Sequence, residues 1–390
     1  MRCAPRVLFI SQSTSHIVFD LARRVAREIG PTLLISGNSY PLEREDRLEV
    51  WQGPAYNNST ATNRFLSWWA FMAWATFQAM RVRGRSVVLL NSNPPFLPWL
   101  GWILKRVRGW PYLVVVLDIY PEAVFRMGFL RETHPVIRAW YALNRIAYRA
   151  ADVMVSLAPV MCDVLSRQVP AGKPIDCIPN WVDPNELRPL PKSDNPVAAE
   201  YGQQAKLTVL YSGNLGSTHD VSGLFGAVDL LRDDTDIEFV FVGGGSRRAE
   251  LEQFCTGRPN ARLLPFQPAE RVRFTLAMGD VSVVALGRGS EGISMPSKAY
   301  YMMSAGCALL GLSTGRNDVS GLIKSYRCGV NVDSGDAAGV CAAVRRFRDD
   351  PEFLAGCRRH ARIAAQEAFS KDVIEPRYLE HLRRLAESCG

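Results

Sequence analysis

The chain has 390 residues, 47% of them hydrophobic and 22% charged, a balance that excludes a disordered or fibrous protein and allows two or three globular domains. No run of about eighteen uncharged apolar residues occurs, and the first five residues lead straight into a strand-like run. Neither a membrane-spanning helix nor a secretory leader is therefore expected, and the chain is expected to stay in the cytoplasm. Nine cysteines are scattered without Cys-x-x-Cys pairs or neighbouring histidines, which disfavours a disulfide framework and a structural zinc site.

The formal charge of +8 is unevenly placed: residues 1–187 carry 21 Lys and Arg against 14 Asp and Glu, the remainder 25 against 24. In chain order the first half alternates strand-like runs with helical patterns. Strands are predicted at Arg6–Ser11, Thr32–Ser36, Ser86–Leu90, Tyr112–Leu117, Asp152–Ser156 and Pro174–Ile178, the pattern of a doubly wound parallel sheet. After the first strand, His16 is a candidate for touching a phosphate, or else a local hydrogen-bonding residue. Just after the Tyr112–Leu117 strand come Asp118 and Glu122, where the crevice of such a sheet places functional side chains. Either can orient a ligand hydroxyl there, and helix capping is the plain alternative for Asp118.

Between Glu49 and Asp118 lie 68 residues without one acid, holding Arg64, Arg81, Arg83, Arg85, Lys105, Arg106 and Arg108 and seven of the nine tryptophans. Indole rings with cations suit a headgroup interface, so Trp68, Trp69, Trp74, Arg81, Arg83, Arg85, Trp99 and Trp102 are expected to form a monotopic membrane contact. The alternative is a helix from Thr62 to Arg83 whose Trp68, Trp69, Phe71, Trp74 and Phe77 form a buried stripe. Nucleic acid fits poorly, because the apolar density is too high for a solvated groove.

Residues 180–196 contain four prolines and read as a linker. Beyond it a second unit of the same kind is predicted, with strands at Leu207–Tyr211, Ile237–Val242, Ala261–Leu264, Val281–Ala285 and Ala308–Gly311, a helical block from Ala337, and a final helix at Asp372–Leu385. The chain is thus divided into 1–187, 188–371 and a C-terminal helix 372–390 able to cross back to the first domain. Two such sheets are expected to face a cleft that closes on two substrates. Two strands of the second unit lead into small-residue loops, Ser212–Gly216 and Gly243–Arg248, whose amides can approach phosphate oxygens: Gly213, Asn214, Gly216, Gly244, Arg247 and Arg248 are the candidates there. A third loop, 290–297, feeds a helix opening at Lys298, a position ill suited to the helix dipole unless a phosphate is held nearby; Ser294 and Ser297 precede it.

At these residues the chain resembles the bacterial family 4 glycosyltransferases, with their two-Rossmann GT-B fold. The resemblance rests on Tyr-Ser-Gly-Asn-Leu-Gly at 211–216, Phe-Val-Gly-Gly-Gly at 241–245, Met-Pro-Ser-Lys at 295–298 with Ser-Ala-Gly at 304–306, and Asn-Trp-Val-Asp at 180–183. Ser-Asn-Pro-Pro at 92–95 and Leu-Asp-Ile-Tyr-Pro-Glu at 117–122 are similar to members that build O-antigen, capsule, lipopolysaccharide and colanic-acid-type polysaccharides. The resemblance implies a nucleoside-diphosphate sugar as donor, a polyprenyl-diphosphate-linked acceptor at the inner face of the cytoplasmic membrane, retention of configuration, and neither metal nor cofactor. It implies that the second domain binds the donor and the first the acceptor. Asn214 and His219 stand where many members carry a diphosphate-holding arginine and lysine, so Arg247, Arg248 and Lys298 are expected to take over. Glu291 matches the first of the family's two glutamates, and Tyr301 stands where the second belongs. A nucleotide-sugar epimerase of the same fold, or a non-catalytic membrane-docked subunit that binds sugar nucleotide, are the alternatives.

Overall fold

The structure, a computed structural model, describes residues 6–38, 47–215 and 219–389. The chain divides into two compact units, one made of residues up to Pro179 together with those from Ile374 onward, the other of Asn180–Val373.

The described residues of the first unit form a seven-stranded parallel sheet of β1 (Arg6–Ser11), β2 (Thr32–Ser36), β3 (Leu48–Gln52), β4 (Ser86–Asn91), β5 (Tyr112–Val116), β6 (Val153–Ser156) and β7 (Asp176–Cys177), in the order β3-β2-β1-β4-β5-β6-β7. Its central strands are buried end to end, as in Val7, Leu8, Phe9 and Ile10 of β1, because helices cover both faces. One covering helix, Ala61–Arg81, starts at Thr60, whose hydroxyl accepts from the Asn63 amide, and turns Trp68, Phe71, Met72, Ala75 and Ala79 inward. Strand order reverses between β1 and β4, so Gln12, Asn93 and, one strand further, Asp118 lie at the carboxyl ends where such a sheet leaves a crevice.

The second unit carries a six-stranded parallel sheet of β8 (Leu207–Asn214), β9 (Ile237–Gly244), β10 (Ala261–Leu264), β11 (Val281–Ala285), β12 (Ala308–Leu312) and β13 (Gly329–Val332), in the order β10-β9-β8-β11-β12-β13. Its core packs Tyr211, Phe239, Phe241, Val283 and Leu310 with Leu224, Val344 and Phe347. The chain is therefore an α/β protein with two doubly wound parallel sheets. The switch in strand order falls between β8 and β11, which places the ends of β8 and β9 and the 286–297 loop at the second crevice.

Three details differ from the sequence expectation. The edge strands β3 and β13 are additional. Strands β8 and β9 run on through their glycines, with Gly213 paired to Gly243 and Asn214 to Gly244, where loops were expected. Residues 180–187 belong to the second unit rather than the first: the Val182 amide donates to the Phe369 carbonyl and its carbonyl accepts from the Lys371 amide, and Arg362 donates to the carbonyls of Pro184 (2.8 Å) and Leu187 (2.9 Å). The closing helix Lys371–Ser388 packs from Ile374 onward within the first unit, where Glu375 pairs with Arg24 at 2.9 Å and Arg383 with Glu28 at 2.5 Å.

Candidate active site

In the second unit the carboxyl ends of β8 and β9 form a backbone platform without side chains. Gly213 and Gly243 have φ of +123° and +106°, and a Cβ on Gly243 would meet the Gly213 carbonyl oxygen at 2.8 Å, so glycine is required. Over this platform lies Lys298. Its Cδ is 3.9 Å from where a Gly213 Cβ would stand, and its Nζ is 4.1 Å from the centroid of the Tyr211 ring. The ammonium nitrogen is buried with no hydrogen-bond partner among the described residues, and burial pushes Lys298 down to about 8. An unpaired buried cation over open backbone can bind an anion at low desolvation cost, since the protein has already removed its water.

His219 lies beside it, hydrogen-bonded to the Asn214 backbone. Burial first, then the charges of Lys298 and Arg247, holds it down to about 4. A neutral imidazole thus stands where a cation was expected from the family pattern, and it adds no charge beside Lys298. Arg247 donates to the His219 carbonyl at 3.0 Å but is also clamped by Glu250 at 2.5 and 2.6 Å. Arg248 folds back onto the Gly243 carbonyl (2.9 Å) and Glu252 (2.9 Å). Both arginines are consequently neutralised on their own helix and secure the platform, while the uncompensated charge is that of Lys298. Glu291 accepts from the Thr314 hydroxyl at 3.2 Å. Ser294, Ser297 and Tyr301 are part-exposed around the Lys298–Ser304 helix, whose seven residues leave the anion-holding role to Lys298 itself. Gly244 continues β9, and Gly216 lies outside the described residues.

In the first unit Ser92 accepts from the amides of Leu117 (2.9 Å) and Asp118 (3.1 Å), fixing the turn after β5. Burial alone pushes the Asp118 carboxyl up to about 6, and no described side chain hydrogen-bonds it. Tyr56 and Tyr120 both feel its charge. Glu122 is a different case. Its carboxylate is buried and accepts from Gln168 at 2.5 Å, while Gln168 and Asn144 both bond the Tyr120 carbonyl, so it anchors the scaffold. His16 opens the helix His16–Glu28 and is exposed, while Ile17 and Phe19 of the same turn are buried.

The aromatic segment splits by helix face, so neither sequence reading holds for every residue. Trp68 is buried edge-on to Phe96 (6.2 Å) and Tyr120 (5.8 Å), away from solvent. Trp74 covers Gly53, and Trp99 donates to Asn144 at 2.9 Å and packs on Phe96. Trp102 is half-buried. Arg85 donates to the Cys389 carbonyl, which makes it a pin for the closing helix. The exposed face instead presents Phe65, Leu66, Trp69, Phe77 and Met80, with Arg81 and Arg83 at its end. Sequence reasoning missed Tyr211, which carries the Lys298 ammonium on its ring, and Tyr56, whose loop has no periodic signal.

Two doubly wound parallel sheets, one ending in a glycine platform under a buried lysine, make the architecture of a GT-B sugar transferase. Residues 14–181 match the glycosyl transferase 4-like domain and residues 206–350 the glycosyl transferases group 1 domain, so the chain belongs to the glycosyltransferases built from these two domains. It is 25% identical over 341 residues to the probable glycosyltransferase WbjE of Pseudomonas aeruginosa, covering 85% of each chain. It is 24% identical over 286 residues to the putative colanic acid biosynthesis glycosyl transferase WcaI of Escherichia coli (strain K12), covering 69% of this chain and 70% of that protein. The solved structure of Anabaena Alr3699/HepE in complex with UDP-glucose superimposes with a TM-score of 0.72 at 15% identity, covering 97% of this chain and 99% of that one.

Proposed function

We propose that the protein transfers a sugar from a nucleoside-diphosphate sugar to a saccharide carried on a polyprenyl diphosphate, in the synthesis of a cell-surface polysaccharide of the O-antigen, capsule or colanic-acid kind. The observation that carries this reading is the buried, unpartnered Lys298 ammonium over the Gly213–Gly243 platform. The donor diphosphate lies against that platform, with Lys298 as its counter-charge and His219, Asn214 and Arg247 at its margin. As the bond from C1 to the diphosphate oxygen breaks, the charge developing on the leaving group is met by Lys298 and by backbone amides, and no metal or cofactor is called on. Asp118 accepts a hydrogen bond from the incoming hydroxyl, whose proton passes to the leaving phosphate as the new C1–O bond forms on the same face, with retention. Glu291 and Tyr301 contact the sugar and ribose. The solved HepE complex, with its UDP-glucose, supports a nucleotide-sugar donor.

Among the described residues no helix is long and apolar enough to cross a membrane. The exposed face of the Ala61–Arg81 helix, with Arg81 and Arg83 beside it, is our candidate for peripheral contact with the inner face of the cytoplasmic membrane. The whole reading is tested by incubating the protein with radiolabelled sugar nucleotides and a membrane lipid extract: label in the lipid phase is expected. Donor bound without transfer would point to a non-catalytic subunit, and an epimerised sugar nucleotide formed without lipid to an epimerase.

A further inference from the structure

The Ala61–Arg81 helix changes character within one turn. Phe65 (50% exposed), Leu66 (59%) and Trp69 (43%) face solvent, while Trp68 is buried against Tyr120. One turn before Trp68, on the same side of the helix, sits Arg64, half-buried, its guanidinium carbon 5.5 Å from the centroid of the Trp68 ring. Among the described residues no carboxylate pairs with Arg64, whereas Arg24 is matched by Glu375 and Lys105 by Asp152. Its polar neighbour is the Tyr56 hydroxyl, and Tyr56 and Tyr120 each feel the charges of both Arg64 and Asp118. The helix is tied there, since Gln12 donates to the Ser67 carbonyl at 2.8 Å and to the Pro54 carbonyl at 3.3 Å. A planar cation to which no described carboxylate is paired therefore stands on the Trp68 side of the helix, next in sequence to the exposed Phe65–Leu66 face and beside two tyrosines that also feel Asp118.

We propose that Arg64 holds the phosphate of the lipid-linked acceptor, at the point where its prenyl chain leaves the Phe65–Leu66–Trp69 face and its saccharide turns toward Asp118. This rests on the transferase reading above and names the group that selects a phosphorylated lipid over a neutral one. A guanidinium suits this role because it forms two parallel bonds to phosphate oxygens, and its place over the Trp68 ring holds it without neutralising it.

Farnesyl diphosphate and farnesol serve as probes, with binding read from tryptophan fluorescence in the parent protein, Arg64→Met, Arg64→Lys and Lys298→Ala. The parent is expected to prefer the diphosphate by about tenfold or more, the gain from a charge-assisted bidentate contact. Arg64→Met, which keeps the stem on Trp68, should erase the preference while leaving farnesol and sugar-nucleotide binding unchanged; Arg64→Lys should keep part of it, and Lys298→Ala all of it. A preference that survives Arg64→Met overturns the proposal, as does one lost in Lys298→Ala, which would place the probe on the donor platform. Binding to phosphatidylglycerol vesicles should be the same for Arg64→Met and parent; a matching loss there would mean that Arg64 holds a membrane headgroup, and overturns it too. The lipid-labelling assay is scored separately: label reaching lipid in the parent while Arg64→Met keeps its preference removes only this inference, whereas no label in the parent removes the transferase reading and this inference with it.

Discussion

The Lys298 ammonium rests on the face of Tyr211, 4.1 Å from the ring centroid, and this cation–π contact is its only electrostatic compensation within the described fold. A neutral ring offsets part of the desolvation of an ammonium and leaves its charge available, which a carboxylate would not. Lys298→Ala should therefore weaken donor binding by about one to two orders of magnitude, the loss of a buried charge-assisted bond, as read by calorimetric titration with a sugar nucleotide. Unchanged affinity would remove Lys298 from the site.

The same residue should act against stability. Lys298→Met keeps the packing and removes an unpaired buried charge, so the ligand-free protein should gain about 1–3 kcal/mol. Urea unfolding of the two proteins checks this, with a higher midpoint expected for the variant.

Two titrations set the pH range. Lys298, lowered to about 8 by burial, is charged below that pH and loses its charge above it, so donor affinity should fall by up to tenfold per pH unit as pH rises past about 8. Asp118, raised to about 6 by burial, orients the incoming hydroxyl as a carboxylate acceptor only when ionised, so transfer should fall as pH drops through about 6. Asp118→Asn should cut transfer, spare donor binding and abolish the acid limb of the profile; an intact acid limb would assign it to another group.

Gly243→Ala puts a side chain at φ +106° and 2.8 Å from a carbonyl oxygen. It should cost about 1–3 kcal/mol of stability and separate the ends of β8 and β9, lowering donor affinity with it. Equal stability and affinity in the variant would show that the platform tolerates a Cβ.

The aromatic helix gives a prediction divided by face. Replacing Trp69 and Phe77 with Ser, or Arg81 and Arg83 with Ser, should reduce binding to anionic vesicles, the second pair most at low salt. Trp68→Ala should instead cost about 3–5 kcal/mol of stability as a core truncation. Arg85→Ser should loosen the closing helix, since its guanidinium holds the Cys389 carbonyl.

Central strands were legible because burial on both faces requires continuous apolar runs, as in Val87-Val88-Leu89-Leu90. The edge strands were not: β3 reads Leu-Glu-Val-Trp-Gln, with only Leu48 buried, and β13 is four half-buried residues. Glycines hid the last residues of β8 and β9, because local propensity marks Gly213 and Gly243 as turn while pairing between neighbouring strands keeps them in the sheet. In the site, Lys298 and Asp118 could be read from motif and position. That Glu250 and Glu252 neutralise Arg247 and Arg248 is a side-chain choice on one helix that spacing permits but does not dictate. Arg64 drew no notice beyond its charge, since its isolation from carboxylates is a property of the folded neighbourhood.

Glu375, Arg383 and Cys389 reach Arg24, Glu28 and Arg85 across nearly the whole chain. The first unit is thus discontinuous in sequence, and the 194 residues from Asn180 to Val373 must be translated before its last helix exists. At ribosomal speeds that is a delay of roughly 10–40 s. Throughout it, the surface later covered by Tyr378, Leu379 and Leu382 stays open, so the nascent amino-terminal sheet is a natural client for chaperones.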